Sequence, residues 1–145
     1  MSRAEQAKEY FLQGYACSQA VALAFSDLMG VNEEEIAKLT LPFGGGLGRQ
    51  RLTCGAVSGM AVVVGGVLGK AELDKENKKK VYETVQTLCK QFQKEAGSLI
   101  CAELLSGTNA TALGEAEERT NEYYKKRPCA ELVALAAGIL EEYFK

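Results

Sequence analysis

The chain has 145 residues, of which 47% are apolar and 25% charged, and its net charge is -2. This composition is ordinary for a soluble globular protein, and the scattered basic residues exclude a surface for nucleic acid or an anionic membrane. The length fits one helical domain over residues 1–145, and the absence of a basic segment leading into an apolar one at the start predicts a cytoplasmic location.

Local signals predict three helices in the first part of the chain, and no segment alternates as a strand does. Ser2 can cap the first helix, which Gly14 ends. The second helix closes at Gly30. Asn32 can cap the third, with glutamates in its first turn, and this helix stops before Pro42. The predicted helices cover residues 2–12, 15–30 and 32–41.

The central segment, residues 52–69, carries no charge and is rich in glycine. It is too poor in Leu, Ile and Phe for a membrane span, so we predict a buried central helix with Thr53 as its N-cap. Each interior glycine costs about 1 kcal/mol relative to Ala, so packing or chemistry must favour them. Glycines four residues apart leave one edge of a helix bare for another backbone. The two such motifs are Gly55-x-x-x-Gly59 and Gly65-x-x-x-Gly69.

The second half of the chain continues the helical pattern. Asp74 can cap a long amphipathic helix that ends at Gly97. Ser98 is expected to cap a brief helix through Leu105, and Pro128 opens the last helix at its favoured first position. Between these lie a polar loop over residues 106–113 and a charged helix over residues 115–126. We therefore predict an all-α, compact helical bundle around the Gly-rich central helix.

The chain contains no histidine, which excludes the serine and cysteine triads and the commonest metal ligand. Chemistry must then come from Cys, Asp, Glu, Lys, Tyr or backbone groups. A large set of cysteines in a reducing compartment is more typical of redox or metal chemistry than of structural disulfides. The five cysteines are Cys17, Cys54, Cys89, Cys101 and Cys129.

The predicted helices place four thiols near helix starts. Cys54, Cys101 and Cys129 lie in first turns, Cys17 lies near the start of its helix, and Cys89 lies mid-helix. The positive end of a helix dipole stabilises a thiolate, so we expect lowered pKa values and a convergence of these four thiols. Buried cysteines also serve as simple core filler. No Cys-x-x-Cys pair indicates a thioredoxin motif or a zinc ribbon.

The set Cys17, Cys54, Cys101 and Cys129, with Cys54-Gly55-Ala56-x-x-Gly59 at its centre, resembles the family of redox-active proteins named for the pattern C…GCAxxG…C…C. The order and the approximate spacing of the four cysteines agree with that pattern. The family label has Gly before Cys, whereas here Cys54 precedes Gly55. The resemblance implies a redox role and names no substrate.

The leading hypothesis is a thiol-based redox protein, a thiol-disulfide oxidoreductase if it is an enzyme. Cys54 would attack, and Cys17, Cys101 or Cys129 would resolve the resulting disulfide. A second hypothesis has the four thiolates bind zinc or an iron-sulfur cluster, although no cofactor is required by the first. A third is a non-catalytic helical interaction module that forms a homodimer across the Gly-edged helix. The redox partner or small-molecule substrate is unknown.

A second feature is the run Gly44-Gly45-Gly46-Leu47-Gly48, followed by Arg49 and Arg51. Such a segment could bind an anion through backbone N-H groups at the entry to the central helix. It lacks the Gly-Lys-Ser/Thr ending of a P-loop, and no strand precedes it as in a dinucleotide-binding fold. A tight turn that delivers the helix into the core is the simpler interpretation.

Overall fold

The structure is a computed structural model that describes residues 1–106, 119 and 128–145. The predicted loop over residues 106–113 and the predicted helix over residues 115–126 lie outside the described residues, apart from Ser106 and Arg119. Over the described ranges the chain is all-helical, as predicted, and forms no strand. The extent of the domain, residues 1–145, stays a prediction.

Three predicted caps form as expected because each depends only on a short local contact. Ser2 accepts a hydrogen bond from the Glu5 N-H at the start of α1, Arg3–Leu12. Asn32 accepts one from the Glu34 N-H at the start of α4, Glu33–Thr40. Asp74 likewise accepts from the Asn77 N-H at the start of α7, Lys75–Ala96, which ends at a left-handed Gly97.

The predicted second helix is wrong in one respect, because it divides into α2, Cys17–Leu23, and α3, Ser26–Met29. Its break lies at Phe25, whose φ of -121° is not helical. The Phe25 N-H bonds to the carbonyl of Ala22, three residues back, and its ring is fully buried. Burial of the aromatic ring thus overrides local helix continuity.

The central helix, α6, spans Gly55–Leu68 and begins immediately after Cys54. The prediction that Thr53 caps this helix is therefore wrong. Thr53 instead forms an isolated antiparallel bridge with Ile100. Between α4 and this bridge, the chain makes a 3-10 turn at Leu41–Phe43 and a short turn, α5, at Gly44–Leu47.

The last two described helices, α8 and α9, also begin at cysteines. α8 covers Cys101–Leu104, with Ile100 at its N-cap, so the cap predicted at Ser98 is wrong. The Ser98 hydroxyl instead accepts from the Ile100 N-H and donates to Glu103. α9 covers Cys129–Tyr143, and Pro128 immediately precedes it rather than occupying its first position.

The helices enclose one hydrophobic core with α2 and α6 at its centre. α1 packs along α9, and α7 packs on α6 and α9. The largest fully buried side chains are Phe11, Phe25, Met60, Leu88, Phe92 and Leu140. No helix in the described part of the chain combines the length and the apolar character needed to cross a membrane.

Only one of the two glycine motifs forms a packing edge. A Cβ at Gly59 would lie 2.8 Å from the Ser18 carbonyl oxygen, so α2 and α6 can approach only because that atom is absent. A Cβ at Gly65 would meet nothing within 4 Å, and Gly69 lies beyond the end of α6. The prediction that another backbone approaches closely is therefore confirmed for the Gly55-x-x-x-Gly59 motif and wrong for the Gly65-x-x-x-Gly69 motif.

Candidate functional site

Four cysteines stand at the starts of four helices, as predicted. Cys17 is the first residue of α2, Cys101 of α8 and Cys129 of α9, while Cys54 directly precedes α6. Cys89 lies in the interior of α7. The local sequence signals therefore placed four thiols near helix starts and Cys89 within a helix, although the starts of α6, α8 and α9 differ by one or two residues from those predicted.

The same four cysteines line one cavity of about 270 Å³, and Cys89 is not among the residues that surround it. Cys54, Cys101 and Cys129 are buried, whereas Cys17 is half-buried. No disulfide joins any of the five, all of which lie in the described ranges. The predicted convergence of the four thiols therefore occurs in the structure.

Backbone pairing brings two of these cysteines together although they are far apart in the chain. The Cys54 N-H donates to the carbonyl of Leu99 at 2.8 Å, and the Cys101 N-H donates to the carbonyl of Leu52 at 2.6 Å. These bonds flank the bridge between Thr53 and Ile100. The start of α6 is thereby fixed to the start of α8.

Gly55 brings a third thiol to the same place. A Cβ at this position would lie 3.2 Å from the Cβ of Cys17 and 3.3 Å from the Ser18 nitrogen. The glycine lets the first turn of α2 pack against the first turn of α6. Gly55, which follows Cys54 in the sequence motif, therefore has a structural role: its lack of a Cβ leaves room for Cys17 to pack next to Cys54.

Cys17 and Cys129 both line the cavity and influence each other's protonation. The Cys129 side chain, together with desolvation by burial, holds the pKa of Cys17 well above its ordinary value. Negative charge on Cys129 or Cys54 would raise the Cys17 pKa further, whereas Arg119 lowers it. These two thiols therefore share a site in which loss of one proton discourages loss of the next.

Burial also dominates at Cys54. Desolvation raises the pKa of Cys54 to about 12, against smaller lowering contributions from the backbone N-H groups of Ala56 and Val57 at the helix start. The charges that Cys101 and Cys129 would carry as thiolates raise it further. The expectation of lowered pKa values is wrong for Cys54, because desolvation outweighs the helix start, and wrong for Cys17, whose pKa is raised first by the Cys129 side chain and then by burial.

Three guanidinium groups line the cavity with the thiols: Arg49, Arg51 and Arg119. Arg51 donates to the Cys101 sulfur, with 3.6 Å between Nη1 and Sγ. Arg119 donates to the carbonyls of Phe11 and Tyr15, each at 2.8 Å. The sequence indicated Arg49 and Arg51 only as part of an anion-binding loop, and no sequence signal identified Arg119.

The zinc or iron-sulfur hypothesis requires several thiolates directed at one point. Within residues 1–106, 119 and 128–145, no group of three or more His, Cys, Asp or Glu side chains is arranged to hold a metal ion. The four thiols share a cavity without forming a ligand set. The geometry therefore gives this hypothesis no support.

Comparison with known proteins identifies one family. The family model described as "Putative redox-active protein (C_GCAxxG_C_C)" matches residues 15–143, a range that contains all five cysteines. No curated protein and no solved structure matches the chain.

Proposed function

The chain belongs to the C_GCAxxG_C_C family of redox-active proteins, and from that membership and the shared thiol cavity we propose that it is a thiol-disulfide redox protein. The four cysteines of the cavity exchange electrons by forming and breaking disulfides. The observation that carries this proposal is the presence around one cavity of the four cysteines that match the family pattern.

We assign the stable protein disulfide to Cys17 and Cys129, because both thiols line the cavity and Cys129 is the largest influence on the pKa of Cys17. Two thiols held in one cavity react with a high effective concentration, which offsets the low fraction of thiolate. The reaction converts two protein thiols and a substrate disulfide, RSSR, into one protein disulfide and two molecules of RSH. Two electrons and two protons pass from the protein to the substrate.

The proposal is tested by equilibrating the reduced full-length chain with glutathione redox buffers of rising potential and mapping disulfides by mass spectrometry. We expect an intramolecular bond between Cys17 and Cys129 as the disulfide that persists in the oxidised protein. Cys17→Ser and Cys129→Ser should each abolish this bond, while Cys89→Ser, outside the cavity, should leave it in place. A protein whose four cavity thiols stay reduced throughout, or that forms only intermolecular bonds, would contradict the proposal.

We also propose the cytoplasm as the compartment of this protein. A set of five cysteines suits a reducing environment, in which a catalytic disulfide forms only transiently. The interaction-module hypothesis gives no reason for four thiols to share a cavity with three arginines, so we do not adopt it.

A further inference from the structure

We propose that Cys101 is the thiol that attacks the substrate disulfide, and that Arg51 is the cation that holds Cys101 ready as a thiolate. This inference rests on the proposed thiol-disulfide function and assigns the entry point that the family description leaves open. It replaces the sequence-based hypothesis that Cys54 attacks first.

The contact between Arg51 and Cys101 carries the argument. A guanidinium nitrogen lies 3.6 Å from the Cys101 sulfur, in the range of a hydrogen bond to sulfur, and the Arg51 side chain is half-buried. A charge-assisted hydrogen bond from a partly desolvated cation favours the ionised form of its acceptor. The thiolate is the form that attacks a disulfide.

Cys54 and Cys17 are less suited to the first attack. The pKa of each is raised, chiefly by burial at Cys54 and by the Cys129 side chain and burial at Cys17. Cys101 is buried as well, but its sulfur accepts a hydrogen bond from the Arg51 guanidinium. Cys54 and Cys17 suit the later steps, in which a neighbouring sulfur is already held within the cavity.

The glycine segment explains how the Arg51 contact arises. A Cβ at Gly46 would lie 2.7 Å from the Cys101 Cβ and 2.8 Å from the Arg51 Cα, so any side chain there would push the two apart. A Cβ at Gly45 would lie 2.7 Å from the Arg49 Cγ and 3.8 Å from the Arg51 Nη1. The glycines are positioning residues that make room for the arginines.

Arg51 itself has a backbone conformation that is unusual for a residue with a side chain. Its φ is 62°, in the left-handed region. Its N-H donates to the Gly45 carbonyl at 3.1 Å, and its carbonyl accepts from the Ala102 N-H at 3.1 Å. These two bonds fix the residue between the glycine segment and α8, so the guanidinium is held where Cys101 lies.

The chemistry balances with the substrate as oxidant. The Cys101 thiolate attacks one sulfur of RSSR, the S-S bond breaks, and RS⁻ leaves and takes a proton from solvent. Cys54, which interacts electrostatically with Cys101, attacks the Cys101 sulfur of the mixed disulfide as its proton passes to the departing RS⁻. A second RSH leaves, and a bond between Cys54 and Cys101 remains. The Cys17 and Cys129 thiols can reduce this bond by exchange and become the disulfide assigned above.

Other charged or titratable groups share this environment and must be considered in any pH profile. Glu103 lies on the same short helix as Cys101 and accepts a hydrogen bond from Ser98. The described ionisable groups that line the cavity with Cys101 are Cys17, Arg49, Arg51, Cys54, Arg119 and Cys129.

The test is residue-resolved alkylation of the fully reduced chain by iodoacetamide from pH 6 to pH 10, read by mass spectrometry. In the unsubstituted chain, Cys101 should react fastest at pH 7. Arg51→Met should slow Cys101 at pH 7 by about tenfold and move its alkylation profile to higher pH. Arg51→Lys, which keeps the charge, should stay within about threefold of the unsubstituted chain. Cys89, in the interior of α7, should react at the same rate in every variant and serves as the internal control for folding.

Two outcomes would overturn the inference. One is a Cys101 that reacts no faster than Cys89 at pH 7 in the unsubstituted chain, a comparison that needs no variant to fold. The other is a folded Arg51→Met protein with an unchanged Cys101 profile. Either result leaves the disulfide between Cys17 and Cys129 to be decided by the redox titration, so failure of this inference and failure of the proposed function are distinguishable.

Discussion

Thr53 and Ile100 pair in an antiparallel bridge, and this single backbone contact fixes two cysteines on the wall of one cavity. The residues that follow them, Cys54 and Cys101, each donate an amide hydrogen bond across the bridge. Because Cys54 precedes α6 and Cys101 begins α8, the bridge aligns two helix starts from distant parts of the chain. The thiol cavity is thus a consequence of tertiary pairing as well as of helix placement.

Gly59 and Gly65 allow a matched test of helix packing within α6. Gly59→Ala should destabilise the fold by about 1–3 kcal/mol, because its Cβ would lie 2.8 Å from the Ser18 carbonyl oxygen. Gly65→Ala should stabilise it by about 0.5–1 kcal/mol, because its Cβ would meet nothing within 4 Å and Ala is the better helix former. Urea unfolding measures both, and equal effects at the two positions would contradict the packing described here.

Ser18 is fully buried and donates a 2.7 Å hydrogen bond to the Thr40 carbonyl. Ser18→Ala should reduce the free energy of unfolding by about 1–3 kcal/mol, because the carbonyl loses its buried donor. Ser106→Ala, at an exposed position, should change it by less than about 0.5 kcal/mol. Chemical denaturation of the two variants in parallel makes the comparison, and a loss at Ser106 as large as at Ser18 would count against this assignment.

Stability should fall at alkaline pH because of Cys54. Its pKa is about 12 in the folded chain and near 9 when unperturbed, so the unfolded chain releases this proton first as the pH rises. The stabilising effect is complete below about pH 9 and is lost up to about pH 12, at a limit of about 1.4 kcal/mol per pH unit. Urea titrations under reducing conditions from pH 7 to pH 11 should give a shallower decline for Cys54→Ala, and identical slopes would refute the burial effect.

Arg119 should affect both Cys17 and the stability of the fold. Its guanidinium donates to two carbonyls and lies 4.2 Å over the Phe11 ring, and its charge lowers the pKa of Cys17. Arg119→Met should destabilise the chain by about 1–3 kcal/mol and slow Cys17 alkylation at pH 8 by about threefold or more.

Arg119→Lys is the matched variant, because it keeps the charge and loses the planar pair of donors. It should restore most of the Cys17 reactivity while remaining less stable than the unsubstituted chain. Lys80→Met, which removes an exposed charge on α7, should alter neither quantity. A Cys17 rate that is the same in all three variants would contradict the electrostatic role of Arg119.

The sequence by itself determined where the helices capped by Ser2, Asn32 and Asp74 begin, and which thiols stand near helix starts. The caps at Ser2, Asn32 and Asp74 each depend on a partner two or three residues away, so a local pattern predicts them well. The placement of the four cysteines followed from the same local signals. The identity of the buried central helix followed from its uncharged, glycine-rich composition.

Only the tertiary structure decided what those positions mean chemically. Thr53 pairs with a distant residue instead of capping its helix, and Phe25 breaks a helix to bury its ring. The direction of the Cys54 pKa shift depends on how much protein surrounds the sulfur, and Arg51 reaches Cys101 only because the fold brings a glycine segment against α8. Burial and charge act through space between residues far apart in the chain, so a local pattern predicts the helix dipole but not the desolvation that outweighs it.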